Sequence, residues 1–131
     1  MIIVADTSAF VAILQKESDS DNFRRAFLEA EKVLISAATA VELHIVITVR
    51  FGDPGILKLD RLLSQPLFEI VDVDQQQMAI AGLAYERFGK GRHPAKLNYG
   101  DLFSYALAKH RDLPLLFKGN GFSKTDIISC L

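Results

Sequence analysis

Met1-Ile2-Ile3-Val4-Ala5-Asp6-Thr7-Ser8-Ala9-Phe10 opens the chain, and the reading of this stretch decides the fold. Ile2 to Ala5 is an unbroken apolar run rich in β-branched side chains. Such a run fits a strand covered on both faces, as in a parallel sheet enclosed by helices. It stops at an acid, after which Thr7-Ser8 offers hydroxyl caps for a helix beginning near Ala9. Asp6 is therefore expected at the carboxyl end of a first strand, where open α/β sheets gather their ligands. A carboxylate left unpaired there is costly, so a cation or a hydroxyl is its natural partner. Taken alone, the same Asp would serve equally well as a cap for the next helix.

The pattern repeats outward from this start. Val33-Leu34-Ile35, Phe68-Glu69-Ile70-Val71 and Pro114-Leu115-Leu116-Phe117 are further short strand candidates, with Ile127-Ile128 as a final edge strand. Phe10, Val11, Ile13 and Leu14 suit a short helix, and Phe23, Ala26, Phe27 and Ala30 recur at i, i+3, i+4, i+7. Asp74 can cap a helix to about Phe88, and Asn98 to Asp101 opens another. The segment Thr39 to Arg50 is ambiguous, because Ile45-Val46-Ile47-Thr48-Val49 favours a strand on propensity. The preceding Ala37 to Leu43 favours helix, and burial outweighs propensity, so a helix apolar around much of its girth is expected. Gly52-Asp53-Pro54-Gly55 reads as a turn before a short helix carrying Ile56, Leu59, Leu62 and Leu63. Strands separated by helices imply an α/β fold: a central, mainly parallel sheet of four to five strands between two helical layers.

Composition bounds the possibilities. At 131 residues, half of them hydrophobic, the chain is expected to be one domain over residues 1–131 with a real core. No apolar run reaches the length of a membrane span, and no basic segment precedes a long apolar one near Met1. Cys130 is the single cysteine, which excludes a disulfide framework and a cysteine zinc site. A cytoplasmic protein is the expectation. The formal net charge of −1 argues against a generic basic binder of nucleic acid. Lys90, Arg92, His93 and Lys96 nevertheless concentrate in one Gly-rich loop ahead of Asp101, where they are candidates for RNA phosphate contacts, against the simpler reading of a solvated connection.

Four polar groups fall at comparable places. Asp6 ends the first strand, Asn120 follows the fourth, Glu42 lies early in the helix after the second, and Asp101 lies in a helical first turn. Carboxylates converging beyond strand ends repel one another unless a cation joins them. Magnesium or manganese suits oxygen ligands of this kind and retains exchangeable waters. Such an ion can activate a water and stabilise a leaving oxygen in phosphodiester cleavage. Zinc fits poorly, since His44, His93 and His110 have no ligand spacing.

Asp6-Thr7-Ser8, Thr39-Ala40-Val41-Glu42, Tyr99-Gly100-Asp101 and Leu115-Leu116-Phe117-Lys118-Gly119-Asn120, with Thr125-Asp126 behind, together resemble the PIN-domain ribonucleases. The similarity is greatest to the VapC toxins of bacterial toxin–antitoxin pairs and spans almost the whole chain. It implies a PIN-like three-layer α/β/α fold and a Mg- or Mn-dependent endoribonuclease acting on structured RNA such as tRNA or rRNA. Asp6, Glu42 and Asp101 are then the acidic, metal-binding core, and Thr7 or Ser8 supports the first acid. A homodimer and a cognate antitoxin are implied as well. Where relatives commonly carry Gly-Asn-Asp-Phe or Gly-Asp-Asp-Phe, this chain has Gly119-Asn120-Gly121-Phe122. That substitution leaves Asn120 as a neutral oxygen ligand and Asp126 as the nearest carboxylate.

Two other readings compete. A phosphatase of the haloacid dehalogenase type also begins with an Asp after its first strand, but needs a second Asp where Ser8 stands. A catalytically weakened PIN-like module that only binds RNA or protein is the other, and a phosphate-binding groove has little reason to concentrate three acids. Dimerisation is expected through Ile45, Val49, Leu59 and Leu62, because residues 45–49 carry more β-branched surface than one helix face can bury.

Overall fold

Ile2–Ala5 (β1) is hydrogen-bonded on both sides within a parallel sheet, as its two-sided apolar character requires. The computed structural model describes residues 1–131. After β1 come α1 (Thr7–Leu14), α2 (Ser20–Glu29), β2 (Lys32–Ser36), α3 (Ala37–Leu63), β3 (Phe68–Val71), α4 (Gln75–Phe88), α5 (Tyr99–Arg111) and β4 (Leu115–Leu116). A 3-10 turn follows at Phe122–Lys124. The sheet order is β3-β2-β1-β4, with every pair parallel.

Because successive strand side chains alternate, β1 feeds two cores. Ile3 and Ala5 join Phe10, Phe23, Phe27, Ile47 and Phe68 on the α1–α2–α3 side. Val4 joins Leu34, Phe88, Leu97 and Leu107 on the α4–α5 side. Three rings lock the first core, with centroids 5.2 Å apart for Phe10–Phe27, 5.9 Å for Phe10–Phe68 and 5.4 Å for Phe27–Phe68. The strand order also places a topological switch at β1: β2 and β3 extend to one side of it, β4 to the other. A crevice opens beyond the carboxyl ends of strands at such a point. Asp6 stands at its base, its N–H donating to the Leu116 carbonyl at 3.0 Å.

The ambiguous β-branched stretch is helical. Leu43 and Ile47 are fully buried on one face of α3, so core packing overrides the strand preference of residues 45–49. The Gly-Asp-Pro-Gly turn is a kink between two helical segments, made at Gly52 with φ 63° and ψ −155°, and Pro54 begins the second segment's first turn. Two expectations fail. Ile127-Ile128 forms no strand; one parallel bridge, Leu115 with Ser129, holds the end of the chain to β4. Leu59 is buried in the protein's own core, because the kink turns that segment back against α1 and β3, so it is unavailable for a dimer contact.

Candidate active site

Asp6 has 4 % of its surface exposed, so its charge must be met from within. Three hydrogen bonds do so. Its Oδ2 accepts from the Ser8 backbone N–H at 3.1 Å and the Ser8 hydroxyl at 2.8 Å, and its Oδ1 accepts from the Ser104 hydroxyl at 2.6 Å. The first of these makes Asp6 the N-cap of α1. Ser104 is itself fully buried and lies 3.2 Å from the Thr39 hydroxyl. The single Ser104 proton points at Asp6, so Thr39 must donate to Ser104. Asp6 is thus fixed directly by hydroxyls from α1 and α5, and through Ser104 by the Thr39 hydroxyl of α3.

Glu42 rises from the first turns of α3, and Thr7 donates to its Oε1 at 2.5 Å. Its carboxylate lies against the N-terminus of α5 at Gly100, where a Cβ would overlap it. Glycine at 100 therefore serves close approach, a need that Tyr99-Gly100-Asp101 alone does not reveal. Asp101 is held by a reciprocal capping box: Asn98 N–H donates to its Oδ2 at 2.9 Å, and its own N–H donates to Asn98 Oδ1 at 2.9 Å. Burial pushes the Asp101 carboxyl up to about 6 from its ordinary 3.8, and the negative charges of Asp6 and Glu42 push the same way. The three acids, with Thr7 and Ser8, border one open cleft of roughly 400 Å³.

The remaining candidates lie elsewhere. Asn120 is exposed in the turn after β4 and outside the cleft wall; Gly119 beside it carries φ 114°. Gly121 has an ordinary φ of −67°, but a Cβ there would come within 3.0 Å of the Ala95 carbonyl, so its reason is space. Asp126 does not support Asp6. It accepts from Tyr105 at 2.6 Å and pairs with Lys109 at 3.2 Å and Arg87 at 3.6 Å, which ties the chain's end to α4 and α5. Those hydrogen bonds hold its carboxyl below the usual range although burial opposes them. The loop Lys90, Arg92, His93, Lys96 is folded on α4 instead of the cleft: Arg92 Nε donates to the Glu86 carbonyl at 3.0 Å, and His93 stands edge-on to Phe88. Sequence reading also missed residues that do border the cleft, namely Glu17, Arg50 and Lys118. Ser104 left a signal: it is a lone hydroxyl in an apolar helical run, three residues after Asp101 and so on the same face.

The family described as PIN domain matches residues 3–128. The chain belongs to the PIN domain family. Within that family it is 50 % identical over 125 residues to Ribonuclease VapC of Mycolicibacterium smegmatis, covering 95 % of this chain and 97 % of that protein. It is 48 % identical over 126 residues to Ribonuclease VapC30 of Mycobacterium tuberculosis, covering 95 % of each. The solved DNA-bound VapBC of Salmonella typhimurium superposes on this PIN domain with a TM-score of 0.78 at 17 % identity, over 98 % of this chain and 96 % of that one. At that identity the likeness is one of fold. The haloacid dehalogenase alternative ends here, with the Ser8 hydroxyl committed to Asp6.

The donor set of this PIN domain fits a hard divalent cation: all oxygen, all carboxylate, and carrying charge repulsion that a cation would relieve. No group of three His, Cys, Asp or Glu side chains is already drawn together tightly enough to hold an ion, since Glu42 leans on Thr7 and Asp101 on Asn98. No helix is long and apolar enough to cross a membrane.

Proposed function

We propose that the chain is a metal-dependent endoribonuclease toxin, a single PIN domain over residues 1–131, that cleaves structured RNA and is held inactive by a cognate antitoxin. The observation that carries this reading is the meeting of Asp6, Glu42 and Asp101, from three separate elements, on one cleft at the sheet's switch point. The half-identity to a protein named Ribonuclease VapC supports the activity.

Asp6, Glu42 and Asp101 are the residues that would hold Mg²⁺ or Mn²⁺. When bound, the ion supplies an activated water and charge stabilisation for the scissile phosphate. The chain's own contribution is placement. The Thr39–Ser104–Asp6 relay fixes the first carboxylate, Thr7 directs Glu42, and the capping box directs Asp101. Asn120, in the exposed turn after β4, is the neutral oxygen ligand beside these acids, although it does not line the cleft itself. An antitoxin partner is supported at the level of fold by the VapBC assembly. A homodimer is supported by apolar side chains left exposed on α3, Val41, Ile45 and Val49.

The deciding experiment is cleavage of total RNA by the purified chain with Mg²⁺ or Mn²⁺. Cutting that stops on chelation and in an Asp6→Asn variant is the expected result. Binding of RNA without any cutting, under both metals, would favour the binding-module reading instead.

A further inference from the structure

Two cations border the acidic cleft, and they differ in how they are held. Arg50, on α3, bonds to a neutral amide: with Gln15 turned to satisfy both its groups, its carbonyl accepts from Arg50 at 2.5 Å and its NH₂ donates to Glu17 Oε1 at 3.1 Å. Lys118 follows β4, and its ammonium pairs with Glu17 and with Asp19 at 3.0 Å, both in the loop after α1. These are not the acids of the cleft floor. Lys118 therefore does not neutralise Asp6, Glu42 or Asp101, although it lines the same cleft.

Its backbone is nonetheless tied to them. The Lys118 N–H donates to Ser8 Oγ at 2.9 Å, and that hydroxyl donates to Asp6. The side chain thus swings from an anchor one residue removed from the first acid. Its present partners are only partly buried, with side-chain exposures of 29 % for Glu17 and 36 % for Asp19, and an ion pair that solvent reaches in this way is exchanged for another oxyanion at little cost. A polyanion approaching four carboxylates needs a cation at the rim, and the basic loop at residues 90–96 does not provide it.

We propose that Lys118 is a substrate-binding residue for an RNA phosphate, parked on Glu17 and Asp19 in the free protein and exchanged onto the substrate when RNA enters the cleft. This rests on the nuclease reading for the identity of the polyanion. Glu17 then acts as a built-in competitor. Removing it strengthens RNA binding, and only while Lys118 is present.

The test measures binding of a labelled single-stranded oligoribonucleotide by fluorescence anisotropy across a salt series. An Asp101→Asn background with Mg²⁺ keeps the RNA intact. Lys118→Gln is expected to weaken binding about tenfold and to lower the log–log salt slope by about 0.7, the value of one phosphate contact on a single strand. Lys118→Arg should retain most of the binding. Glu17→Gln should tighten it several-fold, and adding Glu17→Gln to Lys118→Gln should change nothing further. An unchanged salt slope in Lys118→Gln overturns the proposal, whatever happens to its melting temperature. Tightening by Glu17→Gln that persists without Lys118 also overturns it, because bulk charge then explains the effect. The two readings separate cleanly. RNA bound through Lys118 but never cut by the parent chain defeats the nuclease reading alone. RNA cut by the parent with binding indifferent to Lys118 defeats this one alone.

Discussion

Ser104 donates a 2.6 Å hydrogen bond to Asp6 across 98 positions of sequence, inside the core and out of reach of water. It brings α5 to the end of β1 and fixes the orientation of the first acid of the cleft. A hydrogen bond to a charged group in such a place is worth about 1.5–3 kcal/mol.

Ser104→Ala should therefore lower stability by about 2 kcal/mol, read as a shift of the urea midpoint with an unchanged slope. Thr39→Val should cost less, because it removes the outer member of the relay. In the Ser104→Ala background Thr39→Val should cost almost nothing more, since the Thr39 hydroxyl has already lost its acceptor. Additive losses would mean that the two hydroxyls act separately.

Asp101 carries a pH signature. Its folded-state carboxyl titrates near 6 against an ordinary 3.8, chiefly through burial, with the charges of Asp6 and Glu42 adding to it. Between these two values the folded chain binds more protons than the unfolded one, so stability falls as pH rises through that window. The full difference corresponds to about 3 kcal/mol, less after solvent screening on an open cleft. Asp101→Asn keeps an oxygen acceptor for the Asn98 N–H and removes only the charge. In chelator at pH 7.5 that variant should be the more stable by about 1–2 kcal/mol, with the gap closing near pH 4. Mg²⁺ or Mn²⁺ should raise the parent's melting temperature and not the variant's. Melts that track each other at both pH values would disprove the charge account.

The fold was legible in the sequence because periodicity and capping agreed: Ile2 to Ala5, Asp74 before Gln75 and Asn98 before Asp101 each carry their own signal. The acids of the cleft were legible for the same reason, each marking the end of a strand or the start of a helix. Partners across the sheet were not. Asp126 reads as a spare carboxylate near Asn120, yet Tyr105 and Lys109 of α5 and Arg87 of α4 claim it. The loop at 90–96 reads as a basic rim, but the short turn from Gly89 to Leu97 folds it back on α4. Lys118 and Glu17 lie 101 positions apart, and nothing local to either announces their meeting.

Asp126 supplies the complementary prediction. Asp126→Asn should lower stability by about 1–2 kcal/mol, through weakened pairing with Tyr105 and Lys109 at a partly buried site. It should leave the metal-induced rise in melting temperature and the rate of RNA cleavage as in the parent. A lost metal response would return Asp126 to the site.

Val41, Ile45 and Val49 recur every fourth position along α3 and are 61 %, 57 % and 80 % exposed, so they form one uncovered apolar stripe on a helix whose opposite face is packed. A stripe of this kind is stable in water when a second copy covers it, and an isologous pair does so with the same residues on each side. The stripe runs along the helix that bears Glu42, so a partner seated there would flank the cleft without filling it. Sedimentation at micromolar concentration should give a dimer for the parent. Ile45→Glu with Val49→Lys should give a folded monomer, since neither side chain enters the core and the two charges can pair at i, i+4. A parent that sediments as a monomer would show that the stripe is left bare or is reserved for a different chain. A double variant that still dimerises would place the interface on another face.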